Sequence, residues 1–170
     1  MLELFKIGLG EVVSLQEVCR ETYYDTFGAV NREEDIQAYM DDVYSRDVLV
    51  AELENPESEV YFLKDEMGIS GYLKLNTGAA QTEYIADNTL EIQRIYVRAN
   101  RKRRGYGSRL MAFSLERARE KECQSVWLGV WEHNQTALVF YKSHGFRHVG
   151  EHHFQMGDTV DTDYIYLKDL

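Results

Sequence analysis

Seven consecutive residues, Ser125–Trp131 (SVWLGVW), are almost entirely apolar and stand between two segments with helical spacing. A strand that is apolar on both faces must be covered by other layers on both sides. Before it lie an alternating strand segment, Leu90–Val97, and a helix predicted from about Gly105 to Lys121. This succession of strand, helix and strand predicts a parallel βαβ unit at the centre of a mixed sheet.

The segments around this unit predict the other elements of an α/β domain. Additional strands are expected at Leu2–Ile7, Glu59–Lys64, Ile69–Leu75, Phe146–Met156 and Val160–Leu167. Helices are expected at Glu11–Phe27, after an N-cap at Asn31 and at Asn134–Ser143, with a further short helical piece near Val48–Leu53 and a loop at Asn76–Asn88. We therefore predict one α/β domain over residues 1–170, with a mixed sheet of six to seven strands flanked by about four helices.

The charge balance favours cationic partners over anionic ones. The formal net charge is −10, which repels nucleic acid and anionic membranes and attracts small cations. No secretory signal and no run of about 20 apolar residues is present. Cys19 and Cys123 stand far apart and form no CxxC pattern, as in reduced proteins. We expect a cytoplasmic protein that does not enter a membrane.

One segment, Arg98–Arg109, runs against this charge, because it carries six basic residues and no acid. It contains Gly105-Tyr106-Gly107 between a predicted strand and a predicted helix, where free backbone N–H groups and the helix dipole favour a phosphate. A tight turn into the helix is the alternative interpretation. Position 110 is leucine and no Gly-Lys-Ser/Thr follows, so the dinucleotide fingerprint and the P-loop are both excluded.

Two motifs resemble those of GNAT acetyltransferases. The segment Lys102–Gly107 is similar to the family's Arg/Gln-x-x-Gly-x-Gly/Ala motif, with lysine in the first position. A second motif, Asn-x-x-Ala-x-x-x-Tyr-x-x-x-Gly-Phe, is matched by Asn134, Ala137, Tyr141, Gly145 and Phe146. The resemblance implies a GNAT fold with splayed parallel strands 4 and 5. It also implies acetyl transfer from acetyl-CoA to a primary amine by direct attack in a ternary complex.

The whole chain is further similar to bacterial PaiA-type spermidine/spermine N-acetyltransferases. The segments that carry this resemblance include Tyr24–Phe27, Gly71–Asn76, Leu90–Ile92, Trp127–Glu132 and Met156–Asp158. The resemblance implies a polyamine as the small cationic acceptor, and the acidic charge agrees with that. A protein N-terminus, a lysine and an aminoglycoside remain alternative acceptors.

The resemblance also implies the residues that bind the co-substrate. Main-chain groups of Ile95, Tyr96 and Val97 would contact the pantetheine and the thioester carbonyl. The pyrophosphate would lie on the basic turn, formed by Lys102, Arg103, Arg104, Gly105, Tyr106, Gly107 and Ser108. Asn134 would contact the cofactor arm or cap its helix, and Tyr141 would protonate the leaving thiolate, with a core tyrosine as the alternative.

The general base is the least defined role. Many family members carry an acid at the position of Gln93, and glutamine cannot accept a proton. Glu91 lies two residues earlier on the same strand face and could act through water, or be an ordinary strand carboxylate. Trp131 could form a wall of the amine pocket. The four histidines between His144 and His153 fit no metal spacing, so no metal is expected.

Two questions stay open at this stage. The basic segment also allows a regulator that binds nucleic acid on a GNAT scaffold, although the net charge disfavours nucleic acid as a partner. A homodimer is allowed by the sequence, and no residue pattern indicates it.

Overall fold

A computed structural model describes residues 1–170 of the chain. Its centre is a seven-stranded mixed sheet with the order β1-β2-β3-β4-β5-β7-β6. The strands are β1 Glu3–Lys6, β2 Ser58–Asp65, β3 Gly68–Asn76, β4 Thr89–Val97, β5 Ser125–Trp131, β6 Arg147–Met156 and β7 Thr159–Asp169. All neighbouring strands are antiparallel except β4 and β5, which are parallel and joined through a helix, as the sequence predicts.

Five α-helices flank the sheet, one more than the number of about four that we expect from the sequence. They are α1 Val12–Phe27, α2 Glu33–Val43, α3 Arg46–Glu54, α4 Tyr106–Glu120 and α5 Gln135–Ser143. The short segment near Val48–Leu53 is a full helix, α3, because Ser45 caps it by accepting a hydrogen bond from the Val48 amide at 3.2 Å. No helix is both long and apolar enough to cross a membrane.

The N-cap of the second helix lies one residue later in the chain than predicted. Arg32 occupies the N-cap position of α2, and it makes no side-chain capping bond. Asn31 instead donates a hydrogen bond of 3.0 Å to the carbonyl of Phe27. Its amide therefore satisfies a free carbonyl at the end of α1 rather than an amide at the start of α2.

The sheet has one apolar core on each face. Helices α4 and α5 cover the first core, which includes Leu90, Ile92, Leu110, Leu128 and Tyr141. Helices α1, α2 and α3 cover the second core, which includes Val18, Ile36, Leu49, Phe62 and Tyr72. The two faces of the sheet therefore carry different layers.

Strands β4 and β5 separate soon after they begin. Their parallel pairing is limited to Thr89 with Ser125, Leu90 with Val126 and Glu91 with Trp127. From Ile92 onward the edge of β4 that faces β5 has no strand partner, and its main-chain groups are free for another extended chain. The predicted splaying of the two parallel strands is confirmed.

A β-bulge at Gln93 changes the side-chain directions along β4. Leu75 pairs with Ile92 and Lys74 pairs with Arg94, so Gln93 is an extra residue of β4 that has no pairing partner on β3. Leu90 and Ile92 before the bulge lie in the first core, whereas Arg94 after it lies on the opposite face, beside helix α3. The bulge therefore exchanges the two faces halfway along the strand that borders the opening.

Candidate active site

The N-terminus of α4 lies next to the opening and carries the basic turn. Its N-cap is Gly105, whose φ of +78° is left-handed, and no side chain caps the helix. Arg103 is also left-handed, with a φ of +65°. Lys102, Arg103, Arg104, Gly105 and Ser108 are exposed, and no acid stands in the first turn. Free N–H groups, the positive helix end and exposed cations together can hold a phosphate group.

Two residues of this segment point inward. Arg101 is buried and its Nε lies 3.2 Å from Asp65 Oδ2. The hydroxyl of Tyr106 donates to the same carboxylate oxygen at 3.0 Å. The side chain of Tyr106 therefore anchors α4 to β2, which leaves only its main-chain N–H for a bound phosphate. Gly107 faces α5, where an added Cβ would lie 3.5 Å from the Phe140 ring.

The predicted thioester-binding segment lies along the unpaired edge of β4. Ile95, Tyr96 and Val97 are all partly exposed, and the side chains of Ile95 and Val97 pack against the first core. At the same place β3 approaches closely, because an added Cβ on Gly71 would lie 2.5 Å from the Tyr96 carbonyl oxygen. Only glycine at position 71 allows this approach.

Tyr141 lies on α5 within the first core and close to Tyr96. Its residue is 8 % exposed, and its hydroxyl makes no hydrogen bond within the chain. Burial raises the pKa of Tyr141. Burial also raises the pKa of Tyr96, and the neighbouring Tyr141 contributes to that rise. Tyr141 is therefore a protonated phenol with a free hydroxyl, the state that a proton donor requires.

Asn134 is the N-cap of α5. Its side-chain oxygen accepts a hydrogen bond of 3.2 Å from the Ala137 amide. This contact is the capping role that the sequence allows for Asn134, and it fixes the start of the helix that carries Tyr141.

The carboxylate of Glu91 is occupied by hydrogen bonds. It accepts from Asn76 Nδ2 at 2.9 Å and from the amide and hydroxyl of Thr82 at 2.9 and 2.5 Å. Glu91 is 3 % exposed. These contacts fasten the loop after β3 to β4, so the structure does not support the role of water-mediated base predicted for Glu91.

Gln93 is likewise held by neighbours on β3. It accepts hydrogen bonds from Lys74 and, at 2.8 Å, from Asn76. Lys74 is 4 % exposed, and burial lowers the pKa of its ammonium to about 8. Gln93 is partly exposed and belongs to a polar cluster whose other members, Lys74, Asn76 and Glu91, are buried.

A second set of polar residues faces the opening from the side of α1 and α2. Gly129 of β5 is exposed, and an added Cβ would lie 3.8 Å from both Asp163 on β7 and His152 on β6. Trp131 packs against Phe27, with ring centroids 5.4 Å apart. The role of Trp131 as a wall of an amine pocket stays a prediction.

His152 and Asp163 are not among the site residues predicted from the sequence. They pair directly across the β6–β7 hairpin. A two-residue turn at Gly157-Asp158 places them opposite each other, so the turn position was the signal that could have found them. No group of three or more His, Cys, Asp or Glu residues in the structure could hold a metal ion.

Comparisons with known proteins agree with this architecture. Residues 16–146 match the model of the acetyltransferase (GNAT) family. A Lactobacillus delbrueckii subsp. lactis protein, named as an uncharacterized N-acetyltransferase in the pepI 3′ region, is 42 % identical over 153 residues, which are 90 % of this chain and 88 % of that protein. The spermidine N(1)-acetyltransferase of Thermoplasma acidophilum is 23 % identical over 171 residues, covering 98 % of this chain and 96 % of that protein.

Among solved structures, the PaiA N-acetyltransferase of Thermoplasma acidophilum in complex with coenzyme A superposes with a TM-score of 0.81 at 21 % identity. The match covers 100 % of this chain and 99 % of that chain. The fold defines an α/β domain with an opening between two parallel strands and an uncapped helix N-terminus next to it. The chain belongs to the GNAT family of acetyltransferases.

Proposed function

We propose that the protein transfers the acetyl group of acetyl-CoA to a primary amine of a polyamine such as spermidine or spermine, by direct attack in a ternary complex. The observation that carries the proposal is the opening between β4 and β5, bordered by the uncapped N-terminus of α4 and by the free hydroxyl of Tyr141. Together they offer an extended main-chain edge, an anion site and a proton donor. Acetyl-CoA supplies an acetyl thioester.

The pyrophosphate of acetyl-CoA fits the turn before α4. The main-chain N–H groups of Gly105, Tyr106, Gly107 and Ser108 belong to the first turn or its cap and have no capping side chain. The exposed cations Lys102, Arg103 and Arg104 surround them. The segment Ile95–Val97 offers main-chain hydrogen bonds to the pantetheine and a backbone N–H to the thioester carbonyl. Asn134, the N-cap of α5, would contact the cofactor arm.

Tyr141 is the proposed general acid. A leaving thiolate must gain a proton, and a phenol whose pKa is raised by burial stays protonated at neutral pH. Its hydroxyl has no partner in the chain that would compete for the proton. Tyr141 also lies near Tyr96 of β4, and thus beside the segment proposed to bind the thioester.

The amine must be neutral when it attacks. An alkylamine with a pKa near ~10.4 is neutral in only about one molecule in a few thousand at pH 7, a cost of roughly 4–5 kcal/mol. The excess of acidic side chains gives the chain a net charge of −10, which attracts a cationic acceptor. Polyamine specificity is supported further by the name of the Thermoplasma relative, a spermidine N(1)-acetyltransferase.

The test is an acceptor screen with purified protein, following free thiol from acetyl-CoA with spermidine, spermine, lysine, a peptide with a free N-terminus and an aminoglycoside. We expect the highest kcat/KM for spermidine or spermine. That value should fall steeply with salt, because exposed charges are screened beyond about 10 Å at 0.1 M. Acetylation of another acceptor alone would reject the polyamine and leave the acetyltransferase. If none of these acceptors led to thiol release, both the polyamine acceptor and the acetyltransferase activity would be rejected.

A further inference from the structure

Three ionisable side chains from three separate segments form a chain of contacts beside the opening. His152 Nε2 lies 3.3 Å from Asp163 Oδ2, and His152 Nδ1 lies 2.5 Å from Glu83 Oε2. We propose that Asp163 accepts the proton of the acceptor ammonium and that His152 and Glu83 carry it to solvent. This inference rests on the proposed amine acetylation and names a base for it.

The position of Asp163 fits contact with an acceptor. It pairs with Trp131 of β5, beyond the last residue at which β4 and β5 are joined. The exposed Gly129 leaves the space beside Asp163 open, since no side chain stands there. Asp163 is also close enough to Tyr96 to influence its titration electrostatically. An amine that reaches the thioester from this face of the sheet therefore passes Asp163.

The surroundings of Asp163 make its carboxylate more basic than an exposed one. Burial raises the pKa of Asp163, His152 opposes that rise, and Asp161 and Glu83 add to it. Two tyrosines on neighbouring elements, Tyr96 of β4 and Tyr39 of α2, are the other ionisable groups whose pKa the charge of Asp163 raises. Unlike Glu91 and Gln93, whose oxygens accept hydrogen bonds from Asn76, Asp163 has only His152 as a partner.

The exit of the proton follows the contacts outward. His152 and Glu83 are both about one-third exposed, at 34 % and 37 % of their side-chain surfaces. Glu83 also lines a surface cavity of about 590 Å³ between the 83–87 segment and strands β6 and β7. Neither the contact of Nδ1 with Glu83 nor the contact of Nε2 with Asp163 is aligned as a hydrogen bond. Small rotations of Asp163 and Glu83 toward the imidazole complete the path, and Glu83 then returns the proton to solvent.

Protons and bonds balance in this scheme. The ammonium loses one proton to Asp163, and the neutral nitrogen forms a C–N bond with the acetyl carbon while the C–S bond breaks. Tyr141 protonates the sulfur. The second N–H proton, lost as the amide forms, restores the phenol of Tyr141 through solvent. Each turnover therefore releases one proton, by way of His152 and Glu83.

The test compares Asp163→Asn and His152→Gln with two control substitutions at exposed positions of β6, the strand of His152. These controls are Glu151→Gln and His153→Gln. For spermidine at pH 7 we expect Asp163→Asn to lower kcat/KM about 100-fold, within the usual range for a general base. The remaining activity should rise with pH toward the pKa of the free amine. His152→Gln should cause a smaller loss and displace the alkaline limb in the same direction. The controls should keep the wild-type profile.

Two further measurements keep the proposal falsifiable. In the free protein, the ring ¹⁵N resonances of His152 should change in Asp163→Asn, and those of His153 should not. In an Asp163→Ala variant, formate should restore part of the lost rate. A wild-type pH profile in both Asp163→Asn and His152→Gln would overturn the relay while leaving acetylation intact. If Asp163→Asn does not fold, a wild-type pH profile in His152→Gln is by itself enough to overturn the relay. Absence of amine acetylation by the wild type would reject the proposed function instead.

Discussion

The guanidinium of Arg94 on β4 is held by the carboxylate of Glu52 on α3 through two hydrogen bonds of 2.7 and 2.9 Å. Arg94 is 6 % exposed and lies 5.1 Å from the centroid of the Tyr44 ring. Such a bidentate, charge-assisted pair is stronger and more directional than a neutral hydrogen bond. It fastens helix α3 to the strand directly after the bulge at Gln93.

Replacing Glu52 with alanine is expected to lower the free energy of unfolding by about 3–5 kcal/mol, because it leaves Arg94 as a buried charge without its partner. Urea denaturation followed by circular dichroism measures this. Glu54→Ala on the same helix is the matched control, since Glu54 is exposed, and it should change stability by less than about 0.5 kcal/mol. Equal effects of the two substitutions would mean that Glu52 contributes only helix propensity.

Glu59 is expected to make stability depend on acid pH. Burial alone would raise the pKa of Glu59, but hydrogen bonds from Arg117 and Tyr61 and the charge of Lys121 outweigh it and hold the pKa at about 2. Because the folded-state pKa lies below the unfolded one, this stabilisation is complete above pH ~4.5 and disappears as the pH falls toward 2. It amounts to at most about 3 kcal/mol.

The measurement for Glu59 is the free energy of unfolding from pH 6 to pH 2 in wild type and Glu59→Gln. The variant should be less stable at pH 6, and its stability should fall less steeply below pH 4.5. Parallel curves for the two proteins would show that other carboxylates cause the acid sensitivity.

Gly105 tests the phosphate site through a pair of substitutions that differ in charge. Asparagine and aspartate both tolerate the left-handed conformation, and no atom within 4 Å obstructs an added Cβ at this position. Gly105→Asp should bind coenzyme A at least about 10-fold more weakly than Gly105→Asn, because a carboxylate would face the pyrophosphate. Calorimetry measures both affinities. Equal affinities would place the pyrophosphate elsewhere.

Tyr141→Phe keeps the ring in the core and removes the proton. We expect kcat to fall about 10- to 1,000-fold, with coenzyme A affinity unchanged. Tyr164→Phe, a partly buried tyrosine on β7, is the control and should retain wild-type kcat. Full activity of the Tyr141 variant would reduce this residue to a packing role.

Glu91→Gln is expected to loosen the loop between β3 and β4 rather than to shift the pH profile. The charged acceptor for the amide and hydroxyl of Thr82 is weakened, so the Thr82 amide should exchange with deuterium faster than in the wild type. Exposed Glu3→Gln serves as the control. If Glu91→Gln displaced the alkaline limb of the kcat/KM profile and Glu3→Gln did not, Glu91 would be the base.

The sequence predicts the elements closely where periodicity is strong. The apolar run Ser125–Trp131 coincides with β5, and the predicted hairpin Glu59–Lys64 and Ile69–Leu75 lies within β2 and β3. Apolar patterning and turn residues are local signals, and they suffice for such boundaries. The assignment of Tyr141, Asn134 and the basic turn to acetyl-CoA binding stays a prediction.

The bulge at Gln93 could not be predicted from the sequence, because it depends on how β3 and β4 pair. For the same reason nothing in the sequence shows that Asn76 joins Glu91 and Gln93 in one hydrogen-bonded cluster. A carboxylate's role depends on its donors, and those are set by tertiary structure. The expectation for Glu91 therefore misses its partner Thr82.

Because only three residue pairs join β4 to β5, the hydrogen-bonded ladder of the sheet is interrupted between these two strands after Glu91 and Trp127. Strands β1–β4 form one plate and strands β5–β7 the other, and helix α4 connects them along the chain. Each plate has its own ladder of hydrogen bonds, so we expect the two to open as separate cooperative units. Native-state hydrogen exchange should then resolve two groups of amides, and a ligand that bridges both plates should merge them into one.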